Sequence, residues 1–323
     1  MSNLDQAPAE VMCERREDAP AGPVVLPYRD VPLGGPRAMR VRRSLPQRAQ
    51  SLIGAWCFVD HYGPDDVSAT GGMEVPGHPH TELQTVSWLF TGEVEHRDTT
   101  GTHAFVRPGQ LNLMTAGSGI AHSEYSTPAT TVLHGVQLWI ALPAAHRFAD
   151  PGFRHYEPPV IEAGGAEARV FLGRLFGQAS PVPAYSALVG AEVTLAPGLS
   201  LDVEVDPGHE HGFLCDTGGL AVGRAIARPG EIVFHPAGVP AITLRASGPE
   251  PTRILVLGGE PLREQIVMWW NFIGRSHEEV VGFREAWQRQ RAGQDGRYGV
   301  FPDAWTHTLP APELPNVRLR SRG

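Results

Sequence analysis

The chain has 323 residues, and 27 basic against 35 acidic side chains give it a formal charge of −8. Every basic residue is an arginine, which excludes Schiff-base lysines, pyridoxal-phosphate anchoring and a Walker-type phosphate loop. No basic tract extends beyond the Arg42-Arg43 neighbourhood, so direct nucleic-acid contact is not expected.

Glycine and proline make up about a fifth of the residues beside an ordinary apolar content, which reads as many short strands and tight turns in roughly two domains. Residues 1–22 carry Asp5, Glu10, alanine and proline without an apolar segment; a loose N-terminal tail and no signal peptide are expected. Cys13, Cys57 and Cys215 are odd in number and far apart, so no disulfide framework or zinc spacing is read from them. They are taken as small buried or surface thiols in a reducing cytoplasm. No apolar run approaches the ~20 residues that cross a bilayer, and no membrane association is expected.

Strand signals dominate from about Arg37 to Leu257. Thr85–Phe90 runs into Thr91-Gly92 and then Glu93-Val94-Glu95-His96, a pattern that predicts a hairpin with a glycine turn. Val136–Ile140 predicts another strand, and Leu201-Asp202-Val203-Glu204-Val205 alternates with period two. RPGQLNLMTAG at 107–117 aligns without gaps to RPGEIVFHPAG at 228–238, and His78-Pro79-His80 has a counterpart in His209-Glu210-His211. Two similar all-β units explain this repeat. Near the end, Ser276-His277-Glu278-Glu279 has the form of a capping box, followed by Val280, Phe283 and Trp287 on one helical face. This helix is expected to brace or cover a barrel, with Trp269 and Trp270 in the core. The polar stretch 289–323 is expected to wrap the surface or to be disordered.

Seven of the 14 histidines lie between His61 and His134. Among them, His78-x-His80 and His122-x-Glu124 stand out. Residues i and i+2 of a strand share a face, about 6–7 Å apart, so each pair aims two donors at one point. A lone pair of histidines reads more often as solvated side chains than as metal ligands. Together, three imidazoles and one carboxylate suit a divalent first-row metal, and an octahedral ion would keep two positions open. The set lacks sulfur, unlike closed structural zinc sites. Met114, Ile120 and Trp88 are expected to give the site apolar cover.

FVDHYGP (58–64), GHPHTELQTVSWLFTGEVEHRD (77–98), RPGQLNLMTAGSGIAHSE (107–124) and HGVQLWIALP (134–143) resemble the signature blocks of the pirin family, within the cupin superfamily. GGEP (258–261) and MWWNFIGRSHEE (268–279) resemble its bacterial branch. The resemblance covers roughly residues 30–290 and implies an all-β bicupin: two β-barrel or jelly-roll domains in tandem with a C-terminal helix. The expected division is a metal-binding domain at 23–160, a second cupin domain at 161–275 with a degenerate site, and helix and tail at 276–323. The ligands it implies are His78, His80, His122 and Glu124, with Fe(II) foremost and Mn, Co, Ni, Cu or Zn as other divalent candidates.

Two roles follow from the resemblance. One is a dioxygenase of the quercetin 2,3-dioxygenase type, acting on a small aromatic substrate such as a flavonol, with Glu124 as general base. The alternative is a non-enzymatic, metal-dependent regulatory protein that binds a protein partner, as a transcription co-regulator or on a metabolic enzyme. Where many relatives read Gly-Phe-Glu-Thr, this chain has Glu82-Leu83-Gln84-Thr85, which alters the surroundings of the site. In the second unit, the repeat offset places Thr243 and Arg245 where His122 and Glu124 stand, so His209 and His211 are read as exposed or structural. His61 and His96 are expected near the pocket, behind the ligands. No ligand role is read for His103, His134, His146, His155, His235, His277 or His307.

Overall fold

Alternating apolar residues between turn signals fold the chain into two stacked sandwiches. The computed structural model describes residues 22–33, 39–294, 296–301 and 307–321. The first strands are β1 (Val24–Leu26), β2 (Arg29–Leu33), β3 (Met39–Leu45), β4 (Trp56–Asp66), β5 (Glu74–His80) and β6 (Leu83–Thr91). They continue with β7 (Val94–Asp98), β8 (His103–Val106), β9 (Leu111–Thr115), β10 (Ile120–Ser126), β11 (Val132–Ala141) and β12 (Gly152–Tyr156). A seven-stranded sheet in the order β12-β9-β6-β11-β4-β3-β2 faces a four-stranded sheet in the order β5-β10-β7-β8. Contacts across the gap show the facing: Ser87 on β6 reaches Glu124 on β10, and Trp139 on β11 sets its ring against His80 on β5.

The second half repeats this plan. Its large sheet contains Ala166–Leu172, Leu188–Leu195, Glu210–Cys215, Ile232–His235 and Thr252–Gly259, opposite a four-stranded sheet that includes Ser200–Glu204 and Ala241–Ala246. The RPG segments of the repeat land on equivalent elements, since β9 pairs with β6 and Ile232–His235 pairs with Glu210–Cys215. The histidine pairs do not: His78 and His80 lie on β5 of the four-stranded sheet, and His211 lies on Glu210–Cys215 of the large sheet. The turn glycines of the two RPG segments, Gly109 and Gly230, take φ of +73° and +91°, which glycine adopts without steric cost. Strand β1 crosses between the halves and pairs with Ile232–Phe234 at the edge of the second large sheet. The fold is the all-β tandem of two jelly rolls that was expected, with one α-helix among the described residues.

The two large sheets pack back to back over a shared apolar core. Trp88 sits at its centre, 4.6 Å from the Phe171 ring, and donates its indole N–H to Glu192 at 2.7 Å. This corrects the expectation that Trp88 covers the histidine cluster. Alternation along β6 turns Ser87 into the first barrel and Trp88 to the opposite face. The hairpin expected at Gly92 is also corrected. Strand β6 already pairs with β9 and β11, so at Gly92 the chain crosses to the other sheet, where β7 pairs with β10 and β8. The alternation at Leu201–Glu204 is as read: Leu201 and Val203 are buried, Asp202 and Glu204 exposed.

Helix α1 (His277–Arg291) begins where the capping box predicts, with the Ser276 hydroxyl accepting from the Glu279 N–H. Its buried face, Val280, Phe283, Ala286 and Trp287, packs on Trp269, Trp270 and Phe272. The hairpin of strands Val267–Trp269 and Phe272–Gly274 before the helix delivers the carbonyls of Asn271 and Ile273 to His80 and Thr81, so the helix braces the end of β5. Residues 307–321 wrap: the Leu309 N–H donates to the Gly77 carbonyl, and its own carbonyl accepts from Trp287. Helix α1 has 15 residues, and no helix among the described residues is long and apolar enough to cross a membrane. Cys57 and Cys215 are buried free thiols, whereas Cys13 and nearly all of the segment 1–22 lie outside the described residues.

Candidate metal centre

Strand β5 turns His78 and His80 to one face, and β10 runs beside it with His122 opposite His78. One ring nitrogen from each of the three lies within 4.8 Å of the others, and all three rings are buried. Between the His122–His78 and Glu124–Val75 pairs β5 carries one residue more than β10, a bulge in β5 of the kind that re-aims side chains beside sites. Glu124 groups within the same distance with His122 and His96, so the four sequence-predicted ligands and His96 fall into two triads that share His122. The Ser87 hydroxyl donates to Glu124 Oε1 at 3.2 Å.

The hydrogen bonds assign the ring protons. His78 Nδ1 lies 2.8 Å from the Pro76 carbonyl, and His80 Nδ1 lies 3.1 Å from the Asn271 carbonyl. A carbonyl only accepts, so each ring carries its proton on Nδ1 and its lone pair on Nε2. His80 Nε2 faces His122 Nε2 at 3.1 Å. On its other side, His122 Nδ1 faces His96 Nδ1 at 3.3 Å. Burial pushes His78 down to about 4 and His80 and His122 well below the usual histidine range, so all three are neutral at pH 7. Neutral imidazoles converging beside a carboxylate fit a divalent metal.

The opposite wall comes from the large sheet. Arg43 lies over the Phe58 ring, Phe58 stacks on Trp139 at 4.0 Å, and Trp139 meets His80 edge-on. Met114 and Ile120 join Phe58 and Trp139 in one apolar cluster, as the sequence reading expected of them. Gln137 Oε1 lies 2.9 Å from the Ser87 hydroxyl, which shares its one proton between Gln137 and Glu124. Burial pushes the Tyr62 hydroxyl well above its usual range, with Glu124 and Asp60 adding to the shift. Sequence reasoning missed Ser87, Gln137, Trp139, Asp98 and Asn271. For Asp98 a signal existed, since His96-x-Asp98 repeats the i, i+2 spacing of the other pairs. Asn271 acts through its carbonyl from nearly 200 residues away and had none.

Gln84, in the segment that departs from the family pattern, faces away from the histidines and donates to Thr115 Oγ1. Glu82 is buried between Arg147 and Arg275, at 3.3 and 3.2 Å, and ties the rim of the barrel to helix α1 through Glu279. His96 stands behind His122, as expected, but His61 does not approach the cluster. His61 Nε2 and His134 Nε2 both lie 2.7 Å from Asp216 Oδ1 in the second unit, and Arg253 holds Asp216 Oδ2 at 2.6 Å. Two imidazoles and a guanidinium satisfy both oxygens of Asp216, and this second cluster joins the two units. In the second barrel Thr243 and Arg245 point outward, while Leu201, Val203, Phe213, Ile242 and Leu244 fill the interior. His211 is buried there, and no metal-type group of three forms around it among the described residues.

Family models for pirin and for the pirin C-terminal cupin domain match residues 38–140 and 190–293. A Pseudomonas aeruginosa protein named "Putative quercetin 2,3-dioxygenase PA1205" is 39% identical over 88% of this chain and 88% of its own length. A pirin-like protein of Caulobacter vibrioides is 33% identical over 78% of this chain and 88% of its own. The crystal structure of quercetin 2,3-dioxygenase from Acinetobacter baumannii superposes with a TM-score of 0.85 at 36% identity, covering 93% of this chain and 98% of that one. With matching domains in both halves and relatives aligned along most of its length, the chain belongs to the pirin family.

Proposed function

We propose that this protein is a mononuclear metal dioxygenase of the quercetin 2,3-dioxygenase type, with His78, His80, His122 and Glu124 as ligands and Fe(II) as the metal. The observation that carries the reading is the convergence of three neutral imidazoles beside Glu124 inside the first barrel. The names of the Pseudomonas and Acinetobacter relatives support the reaction class. A divalent ion bound there supplies a Lewis acid and exchangeable positions.

The chain's own residues do the rest. Glu124, steadied at Oε1 by Ser87, takes the proton of the flavonol 3-hydroxyl as general base. Trp139, Phe58, Met114 and Ile120 supply an apolar wall for the aromatic rings. Dioxygen is consumed, the central ring opens with loss of carbon monoxide, and the proton held by Glu124 returns to the product.

The test is anaerobic loading with Fe(II), followed by quercetin and oxygen. Oxygen uptake should match the bleaching of the flavonol absorbance. Absence of turnover in a sample carrying about one Fe(II) per chain refutes the dioxygenase reading and leaves metal-dependent binding of a protein partner.

A further inference from the structure

We infer that Asp98, acting through His96, decides which nitrogen of His122 faces the metal position. The inference rests on the reading of His122 as a ligand and concerns the device that keeps it one. Strand β7 lies beside β10 with Asp98 opposite His122 and His96 opposite Glu124, and both side chains of β7 turn inward. Asp98 Oδ1 is held by three donors: the Thr100 N–H at 2.8 Å, the Thr100 hydroxyl at 2.6 Å and the Thr102 N–H at 3.1 Å. Its Oδ2 faces His96 Nε2 at 3.1 Å.

Proton placement then follows link by link. A carboxylate accepts only, so the His96 proton that faces Asp98 sits on Nε2, and the ring presents its lone pair at Nδ1. That lone pair faces His122 Nδ1 at 3.3 Å and accepts the His122 proton there. The lone pair of His122 is left on Nε2, facing the lone pair of His80 Nε2 at 3.1 Å. Two lone pairs so close repel each other until a cation lies between them. Asp98 and His96 are therefore positioning residues, and the Thr100–Thr102 turn is the fixed end of the chain.

Replacing the carboxylate by an amide reverses the chain. In Asp98→Asn the three donors at Oδ1 keep the amide oxygen where it is and turn the NH2 towards His96. His96 then carries its proton on Nδ1 and donates to His122, whose own proton moves to Nε2 and blocks the metal position. In His96→Gln, by contrast, the side-chain amide spans the same two partners with the original polarity, N–H to Asp98 and oxygen to His122.

The experiment titrates the metal-free full chain with Co(II) against a competing chelator, following the visible d–d bands, with circular dichroism melting of each metal-free protein as the reading of the fold. Wild type should bind about one ion per chain, Asp98→Asn should bind about 10–100-fold more weakly, and His96→Gln should stay within about threefold of wild type. Wild-type affinity in Asp98→Asn, or an equal or larger loss in His96→Gln, overturns the inference. If Asp98→Asn does not fold, His96→Leu replaces it, because it removes the acceptor at His122 Nδ1; affinity equal to that of His96→Gln then overturns the inference. A wild type that binds no Co(II) removes the reading of the site and the inference with it.

Discussion

The Asp216 cluster gives the sharpest test of how the two units are joined. Asp216 is buried, accepts from His61 and His134 of the first unit at 2.7 Å each, and pairs with Arg253 at 2.6 Å. In Asp216→Ala two buried imidazole N–H groups lose their acceptor, at about 1–3 kcal/mol each. Arg253 stays partly exposed over Phe90, so water takes up most of its lost partner. The expected loss is about 3–5 kcal/mol, in the range found on breaking one side of a buried pair. Asp216→Asn keeps one acceptor oxygen and should lose roughly half as much. Burial works to raise the Asp216 carboxyl, but the hydrogen bonds from His134 and His61 outweigh it and hold the group well below the usual aspartate range. A depressed carboxylate stabilises the fold above its unfolded pKa and loses that contribution as the pH falls. The carboxylate's own share of the gap between wild type and Asp216→Ala should therefore hold from pH 7.5 down to about 5 and shrink below about 4. Meanwhile the loss of Asp216's raising effect on His61 widens the gap as the pH falls below the ordinary 6.5. Urea unfolding across that range, with the slope checked for constancy, gives the numbers. A loss under about 1 kcal/mol at pH 7.5 would show that the cluster does not fasten the units.

The double variant His78→Ala/His122→Ala should lose the bound metal measured by elemental analysis while keeping its strand signal in circular dichroism; full metal content in that variant removes the proposed site. The metal-free protein should weaken in acid. His78 sits at about 4 against an ordinary 6.5, so its contribution is complete above 6.5 and is withdrawn as the pH falls towards 4, amounting to about 3 kcal/mol for this residue. Urea midpoints that stay flat between pH 7 and 4.5 contradict the burial of neutral histidines. Trp88→Ala, which empties the centre of the inter-sheet core, should cost about 3–5 kcal/mol in the same assay and leave metal stoichiometry unchanged. A metal-depleted Trp88→Ala protein that still folds would return the tryptophan to the site.

The histidine pairs were legible because a strand puts i and i+2 on one face, a rule that needs no partner strand. Pairing and sheet membership are set by distant segments, and there local reading failed. Trp88 and Ser87 are neighbours in the chain, yet one lies between the units and the other touches Glu124. The pattern around Gly92 is the same for a hairpin and for a crossing between sheets. His61 sat inside a block that resembles a signature of the family, but its partner Asp216 is 155 residues away in the other unit. The Asp98–His96–His122 chain exists only through the β7–β10 register, which spacing alone does not give.

Why, among the described residues, only the first barrel gathers such a histidine cluster follows from what each interior contains. The first is polar at its centre, with the buried Arg43–Asp60 pair at 2.6 Å, Ser87, Gln137, Glu124 and four histidines within reach of one another. Such an interior stabilises poorly, because each desolvated polar group needs a partner merely to break even. The second barrel has the same strand plan with Leu201, Val203, Phe213, Ile242 and Leu244 inside beside His211, and its burial is predominantly apolar. The large sheets join the two through Trp88 and Phe171, and β1 is stitched across from the first half to the second. The apolar barrel thus acts as the rigid partner against which a polar, less self-sufficient barrel is held. The outward-facing Thr243 and Arg245 and the hydrocarbon interior are the same fact, since a barrel packed for stability has no room for ligands that must stay neutral and open to exchange.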